Sequence, residues 1–424
     1  MREKIPLLLM ITVAFLITGN LIGAGILGLP VDTGLAGFIP SLLGMLVIAG
    51  AMFFTAVVIG NEAADKRDES FNYPSLYHKY LGSMGKWIAI LANVLILYGL
   101  LTAYLTGATA IITSLFPALS SKVWVMLSFF IIISWLTISN MTALRKYNAV
   151  LMVLLWASFA VIVFMSETHV RLERFAYRDW GFLPVAIPII VTSFHFHNII
   201  PNVYHGLKWN RSVAWKAMLA GMIIGYIMNA LWIQVAIGAL PLSGGENSIL
   251  EAFKHNLPAT VPLANLINSS VFVTCSLLFA LLAISTSYLA NGTGLLGFIN
   301  DLTTNHFKKS SRLLTVVLTC GPPLIISLIY PNIFLKALDV VGGVGIVILF
   351  GILPSIIAII KPRSRGMRVI GFLVLILFSA SLILELGQQS GLLKIHPHVE
   401  HLKPHYPHHP RHEGGMIVDM DVNK

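Results

Sequence analysis

Long apolar runs, separated by short polar segments, repeat along almost the whole chain. Eleven of them come close to or exceed the roughly 20 residues that a membrane-spanning helix needs. The eighth is too long for one crossing, so we expect its start to lie on an extracytoplasmic ledge. The pattern predicts an all-α polytopic membrane protein whose eleven spans lie near 6–30, 36–60, 86–116, 123–139, 147–166, 182–204, 213–240, 262–298, 313–330, 337–360 and 368–392.

Glycine or polar residues interrupt two of these runs. The first run contains the segment 18–25 (TGNLIGAG) and ends at Pro30, and the sixth contains the segment 192–201 (TSFHFHNIIP). Such an interruption frees backbone N–H and C=O groups, which hydrocarbon cannot satisfy, so it survives only against protein or a water-filled cavity. Paired interruptions in two halves of a chain are typical of a transporter's binding site.

Each interrupted run opens a group of five spans. We therefore predict repeat one at 5–166, repeat two at 181–360 and an extra helix at 368–392, within a transmembrane domain covering 1–393. Because five is odd, the two repeats cross the membrane with opposite topology, as in many secondary transporters.

Composition and charge agree with a membrane location. Hydrophobic residues make up 56% of the chain, charged residues 11%, and mean hydropathy is +0.82, whereas soluble domains carry about 25% charge. The net charge of +10 is unevenly spread: with the N-terminus inside, 18 Lys and Arg fall in cytoplasmic segments and 6 in outer loops. This positive-inside bias predicts a multi-pass protein of the cytoplasmic (inner) membrane with an extracytoplasmic C-terminus, and it argues against nucleic acid as a partner.

The first interruption has the chemistry to bind an anion. Gly19, Asn20, Gly23 and Gly25 fall within seven residues. If the helix unwinds there, the amides of the following half-helix point at an anionic group, which the positive end of the helix dipole favours. The alternative is a small-xxx-small packing face between helices.

The second interruption carries ionisable side chains inside a membrane span. His197 is a candidate to bind or relay a proton, although a neutral, hydrogen-bonded histidine is the alternative. In a regular helix, the side chains of His195 and His197 would point to different sides of that helix. This spacing argues against a two-histidine metal site unless the backbone there is extended. In the eighth run, Thr286 and Ser287 offer hydroxyl oxygens to a small cation, or simply bond between helices.

Several segments resemble the hydroxy and aromatic amino acid permeases, a bacterial family of the amino acid–polyamine–organocation superfamily. Their order and spacing carry the resemblance along most of the chain. The matching segments are IGAGILGLP at 22–30, AYLTG at 103–107, TSF, FHN and IP between 192 and 201, FALLAI and TSYL between 279 and 289, and YPN to AL between 330 and 338.

The resemblance implies a leucine-transporter-type fold with 5+5 inverted repeats and an amino acid symporter driven by protons or sodium, protons being favoured. The carboxylate of the substrate would contact the backbone amides of residues 22–25. The amino group of the substrate would contact backbone carbonyls near residues 193–197. Where the family usually has glycine, this chain has His195, which predicts altered substrate choice. The implied substrate-binding residues are Ile22, Gly23, Ala24, Gly25, Tyr104, Ser193, Phe194, His195 and His197, and the implied ion-coupling residues are Gly19, Ile22, Ala283, Thr286, Ser287 and His197.

The tail 394–424 is rich in histidine and proline, and we predict that it is disordered. A weak metal interpretation would use His396, His398, His405, His408 and His409. Together with His195 and His197, the tail suggests the alternative of a divalent-metal transporter of related fold, although this chain has no aspartate in the first span, where such proteins use one. A membrane enzyme or sensor is a remote alternative, because no nucleophile–base pair stands out. We expect no cofactor and no obligatory protein partner beyond the lipid bilayer and the amino acid.

Overall fold

The computed structural model describes residues 6–398 except 68–70, 117, 120, 140, 141 and 308–310, and without the side chains of 24, 142–149 and 305–307. The regular elements of this described part are helices. They are α1 (Leu7–Leu21), α2 (Ala24–Gly34), α3 (Phe38–Lys66), α4 (Tyr73–Leu115), α5 (Lys122–Ile138), α6 (Thr142–Glu167), α7 (Leu183–Ser193), α8 (Ile200–Gly206), α9 (Arg211–Ala239), α10 (Ile249–Lys254), α11 (Thr260–Ile267), α12 (Ser270–Phe307), α13 (Arg312–Ile329), α14 (Phe334–Val340), α15 (Leu353–Ile360) and α16 (Arg365–Gln389).

These helices confirm the polytopic pattern. Within the described residues, nine helical segments are long and apolar enough to cross a membrane, and α1 with α2 forms one further span, bent by 57°. The 17-residue apolar α5 matches the fourth predicted run, 123–139, and accounts for the one predicted run that these ten do not include. Side chains such as Leu7, Phe164 and Leu373 point outward with 62% or more of their surface exposed, as expected of a lipid-facing surface.

Two boundaries differ from the sequence prediction. The first span does not end at Pro30: α2 continues to Gly34 with the proline inside it. The eighth run is divided, because the short helix α11 ends at Asn268 in a left-handed conformation (φ 46°) and α12 starts at Ser270. The start of the eighth run, which we expected to lie apart from the membrane crossing, therefore forms the separate helix α11.

The span Phe334–Ile360 consists of three helical segments, two of them α-helical and one π-helical. Between α14 and α15 the segment Val341–Ile352 is π-helical. Its glycines allow close neighbours: a Cβ on Gly342 would lie 2.0 Å from the Pro188 carbonyl oxygen of α7, and one on Gly343 would lie 2.6 Å from Cγ of Glu385 on α16. This span therefore packs tightly between the second broken helix and the last span.

Ion pairs gather the helix ends at one face of the bundle. The buried Glu62 of α3 accepts hydrogen bonds from Tyr80 (2.6 Å), Lys79 (3.4 Å) and Lys361 (3.3 Å). One turn later, Asp65 pairs with Arg211 at the start of α9 and with Arg363 just after α15. These contacts hold α3, α4, α9 and α15 together at the end that the charge bias predicts to be cytoplasmic.

At the opposite face the beginning of the tail is bound to the protein. The buried Asp179 accepts hydrogen bonds from the backbone N–H groups of His398 (3.0 Å) and Phe182 (3.1 Å), and Nδ1 of His398 lies 2.8 Å from the same carboxylate. The backbone N–H of Asp179 donates a hydrogen bond to the carbonyl of Ala36 (2.7 Å). His396 is also described, whereas His405, His408 and His409 lie outside the described residues.

A cavity between two broken helices

The first break occupies two residues. After α1, Ile22 (φ −90°, ψ 58°) and Gly23 (φ −97°, ψ −160°) leave the helical region, and α2 starts at Ala24 without a side-chain cap. The last helical bond of α1 runs from Ile22 N–H to the Thr18 carbonyl (3.0 Å). The first turn of α2 therefore presents uncapped amides, which confirms the predicted unwinding at this point.

The glycines of the first break allow three other helices to approach. A Cβ on Gly25 would lie 3.0 Å from Oγ and 3.2 Å from Cα of Ser193 on α7. A Cβ on Gly23 would lie 3.1 Å from Ser287 Oγ on α12, and one on Gly19 would lie 2.3 Å from Met152 on α6. The alternative of a packing face is thus correct too, because the same glycines both unwind the helix and admit its neighbours.

The second break is longer. The segment α7 ends at Ser193, Phe194 and Phe196 are non-helical (ψ 15° and 11°), and a 3-10 turn at His197–Ile199 leads into α8. The two breaks face each other where Ser193 meets Gly25. The predicted pairing of the interruptions is therefore present in space.

The two histidines of the second break lie side by side. Their rings are parallel to within 2°, with centroids 6.0 Å apart, and both stack on Phe350, at 5.0 Å for His195 and 5.1 Å for His197. The prediction that they point to different sides is wrong, because the backbone between them is not helical. His197 Nε2 lies 2.9 Å from Thr55 Oγ1 on α3, and Tyr73 donates to the His197 carbonyl.

A cavity of about 790 Å³ lies between the breaks and the helices α4, α6 and α12. Pockets for small molecules are typically 300–1,000 Å³ in volume. Seven of the predicted site residues line it: Gly19, Gly23, Gly25, Tyr104, His195, Thr286 and Ser287. The other predicted residues with described side chains are buried around the breaks rather than lining the cavity, namely Ile22, Ser193, Phe194, His197 and Ala283.

Sequence reasoning missed Asn291, which also lines the cavity. Its amide donates to Tyr104 Oη (3.2 Å) and to the Ser287 carbonyl (2.9 Å). Asn291 follows Ser287 by one helical turn, so the i, i+4 spacing of polar residues in an apolar helix was an available signal. Asn20, Thr192, Asn198 and the aromatic side chains of Phe15 and Trp156 complete a wall that is polar at the breaks and aromatic beyond them.

The hydroxyls proposed for a cation lie at the same cavity. Thr286 Oγ1 donates to the Leu282 carbonyl (2.7 Å), and Ser287 Oγ approaches Gly23. No three His, Cys, Asp or Glu side chains converge as a metal site within the described part of the chain. The chemistry of the cavity is that of backbone amides, hydroxyls, three carboxamides, one imidazole and aromatic rings.

Comparison with known proteins agrees with this geometry. The family model described as "Tryptophan/tyrosine permease family" matches residues 9–386. Tyrosine-specific transport system 1 of Haemophilus influenzae is 29% identical over 337 residues, which are 77% of this chain and 82% of that protein. The low affinity tryptophan permease of Proteus vulgaris is 27% identical over 368 residues, covering 83% of this chain and 86% of that protein.

A solved structure supports the fold. The crystal structure of MhsT in complex with L-phenylalanine superimposes with a TM-score of 0.60 at 16% identity, covering 90% of this chain and 98% of that one. The fold is of the leucine-transporter type, as the resemblance implied. Because the family model spans most of the chain, the protein belongs to the tryptophan/tyrosine permease family.

Proposed function

We propose that the chain is a secondary active transporter that imports an amino acid, aromatic or hydroxylated, across the cytoplasmic membrane. It would do so by symport with a proton, or with a sodium ion, in an alternating-access cycle. The observation that carries the proposal is the cavity where the uncapped start of α2 faces the second break. Family membership and relatives named for tyrosine and tryptophan transport support an amino acid as the substrate.

The two breaks suit the two charges of a zwitterion. The N-terminus of α2 carries a partial positive charge and free amides, which favour a carboxylate. The C-termini of α1 and α7 carry partial negative charge, which favours an ammonium group. Tyr104, Trp156 and His195 line the remaining space and would contact the substrate side chain.

The position of the cavity suggests its place in the cycle. Its lining on the first broken helix runs from Thr12 to Gly25, and it reaches the exposed side chains of Phe15 and Leu16 on α1. On the other side of the break, Leu27, Leu29 and Val31 of α2 are buried. With the N-terminus in the cytoplasm, this position supports an inward-facing arrangement, from which substrate would be released into the cell. The ion biases the cycle only through different affinities for its states.

Uptake into proteoliposomes tests the proposal. The purified protein is supplied with labelled tyrosine, tryptophan, serine or leucine under an imposed proton or sodium gradient. We expect concentrative uptake of at least one aromatic or hydroxylated amino acid under one gradient, and competition by its unlabelled form. If the uptake of every amino acid under every gradient only equals the leakage into empty liposomes, the proposal is overturned.

A further inference from the structure

Three carboxyl groups lie beyond the cavity on α2, α14 and α16, three helices that all pack against α7. Asp32 on α2 is 1% exposed and Glu385 on α16 is 3% exposed. Asp339 on α14 interacts electrostatically with both of them. The methylene groups of Glu385 lie against Gly343, where any side chain would collide with them. Three separate spans thus bring acidic groups to one buried place in the bundle.

The carboxyl groups lack the partners that buried anions need. Neither carboxylate oxygen of Asp32 has a hydrogen-bond partner, and Oδ1 of Asp339 is also buried without one. Glu385 accepts one hydrogen bond, from Gln389 at 2.8 Å. An ionised carboxylate held without partners inside a membrane protein is costly, because the ion loses its hydration and gains no compensating contact. Asp32 is therefore a buried carboxyl without the partners that an ion needs, and this environment favours its neutral form.

The surroundings supply little positive charge. The ammonium group of Lys336, one turn before Asp339 on α14, acts on the cluster, but its side chain is exposed. The helix α7 packs against α2, α14 and α16 and has no titratable residue. On α10, which packs against α2, Glu251 pairs at the surface with Lys254 and with the following His255. One exposed cation cannot neutralise three carboxylates, of which Asp32 and Glu385 are fully buried.

From this geometry we propose that Asp32, Asp339 and Glu385 form a proton-binding site that carries the coupling proton of the transporter. The proposal rests on the proposed function and names the residues of its ion coupling. The cluster lies on the side that the charge bias makes extracytoplasmic, one turn from the exposed Lys336, so protons would arrive from outside. They bind to carboxylate oxygens, and no other bond is made or broken.

The helix α2 connects the two ligands. Gly25, in its first turn, borders the substrate cavity, and Asp32 lies seven residues further, about 10 Å along the axis at 1.5 Å per residue. Neutral Asp32 allows this end of α2 to remain buried and α2 to remain packed against α7, as in the structure. Ionised Asp32 favours a state in which this end of α2 reaches water. Proton binding therefore stabilises closure of the outer side, and proton loss favours opening.

The test compares Asp32→Asn and Glu385→Gln with the parent protein in proteoliposomes, with Glu173→Gln as control. Glu173 lies on the same side but is exposed and outside the cluster. We expect Asp32→Asn to keep exchange of labelled for unlabelled substrate, since the amide mimics the neutral acid. A proton gradient should no longer drive accumulation, and a pH dye inside the vesicles should report no substrate-dependent proton entry. Wild-type accumulation and proton entry in both variants would overturn the proposal while leaving the transport function standing.

A second measurement does not depend on transport. The infrared spectrum of the purified protein at neutral pH should contain the C=O band of a buried protonated carboxyl, and Asp32→Asn should remove intensity from it. The melting temperature of Asp32→Asn in detergent should equal or exceed that of the parent protein, because the packed form is already neutral. A parent protein without this band at neutral pH, or one driven only by a sodium gradient, would also contradict the proposal.

Discussion

The indole N–H of Trp232 on α9 donates a hydrogen bond of 2.8 Å to the carbonyl oxygen of Ile26 on α2. Ile26 precedes Pro30 by four residues, and proline has no N–H to complete that helical bond. The buried indole therefore satisfies a carbonyl that would otherwise lack its helical partner. This contact explains how α2 continues through Pro30 to Gly34 and brings Asp32 into the bundle.

Replacing Trp232 by Phe should destabilise the protein by about 1–3 kcal/mol, the usual cost of leaving a buried polar group unpaired, with the loss of ring volume added. Thermal unfolding in detergent measures the effect. Pro30→Ala restores an N–H at position 30, so the double variant should recover part of the loss. Independent, additive effects of the two substitutions would show that the indole does not replace the missing helical bond.

Gly25→Ala should abolish or strongly reduce uptake. The added methyl group would lie 3.2 Å from the Ser193 backbone as well as 3.0 Å from its side chain, so one of the two broken helices must shift. Gly294→Ala on α12 is the matched control, because no atom lies within 4 Å of its added Cβ. Uptake per amount of membrane-inserted protein is the measurement, and equal uptake by the two variants would be inconsistent with close contact between the breaks.

His195→Gly should shift selectivity toward larger amino acids. The imidazole lines the cavity and stacks on Phe350, so its removal enlarges the space available to a substrate side chain. Competition by unlabelled tryptophan, tyrosine and serine against one labelled substrate measures the order of preference. His197→Gln is a useful comparison, since His197 is packed against Thr55 instead of lining the cavity. An unchanged order in His195→Gly would remove this histidine from the specificity site.

The contacts of Asp179 predict a pH-dependent stability. Burial tends to raise the pKa of this carboxyl, but hydrogen bonds from His398 and Phe182 outweigh burial and hold the pKa below its ordinary value. A lowered pKa means that the stabilisation is complete above the unfolded pKa of about 3.9 and is lost as pH falls through the folded pKa.

Asp179→Asn should therefore lower the melting temperature at neutral pH, and the difference from the parent protein should shrink in acid. Glu173→Gln, whose carboxylate is exposed, is the control for removal of a negative charge nearby. A difference that stays constant from neutral pH to below pH ~3 would contradict the assignment.

The sequence predicted the features that depend on local chemistry. Apolar length identified the spans, and the glycines around Gly23 and the polar run at 192–198 located both breaks. Features that depend on distant packing were not predictable. The parallel rings of His195 and His197 require a non-helical backbone between them. Asp32 fell outside the predicted first span because Pro30 was taken as its end, and only the bond from Trp232 shows why the helix continues.

The central claim is that backbone groups of the two breaks bind the amino acid. Its most direct test is an experimental structure with an amino acid that the protein is shown to transport. We predict ligand density in the cavity, with the carboxylate oxygens within hydrogen-bond distance of the amides of residues 23–25 and the side chain near Tyr104 and His195. Density for a competable ligand at any other place, with both breaks unoccupied, would contradict the account.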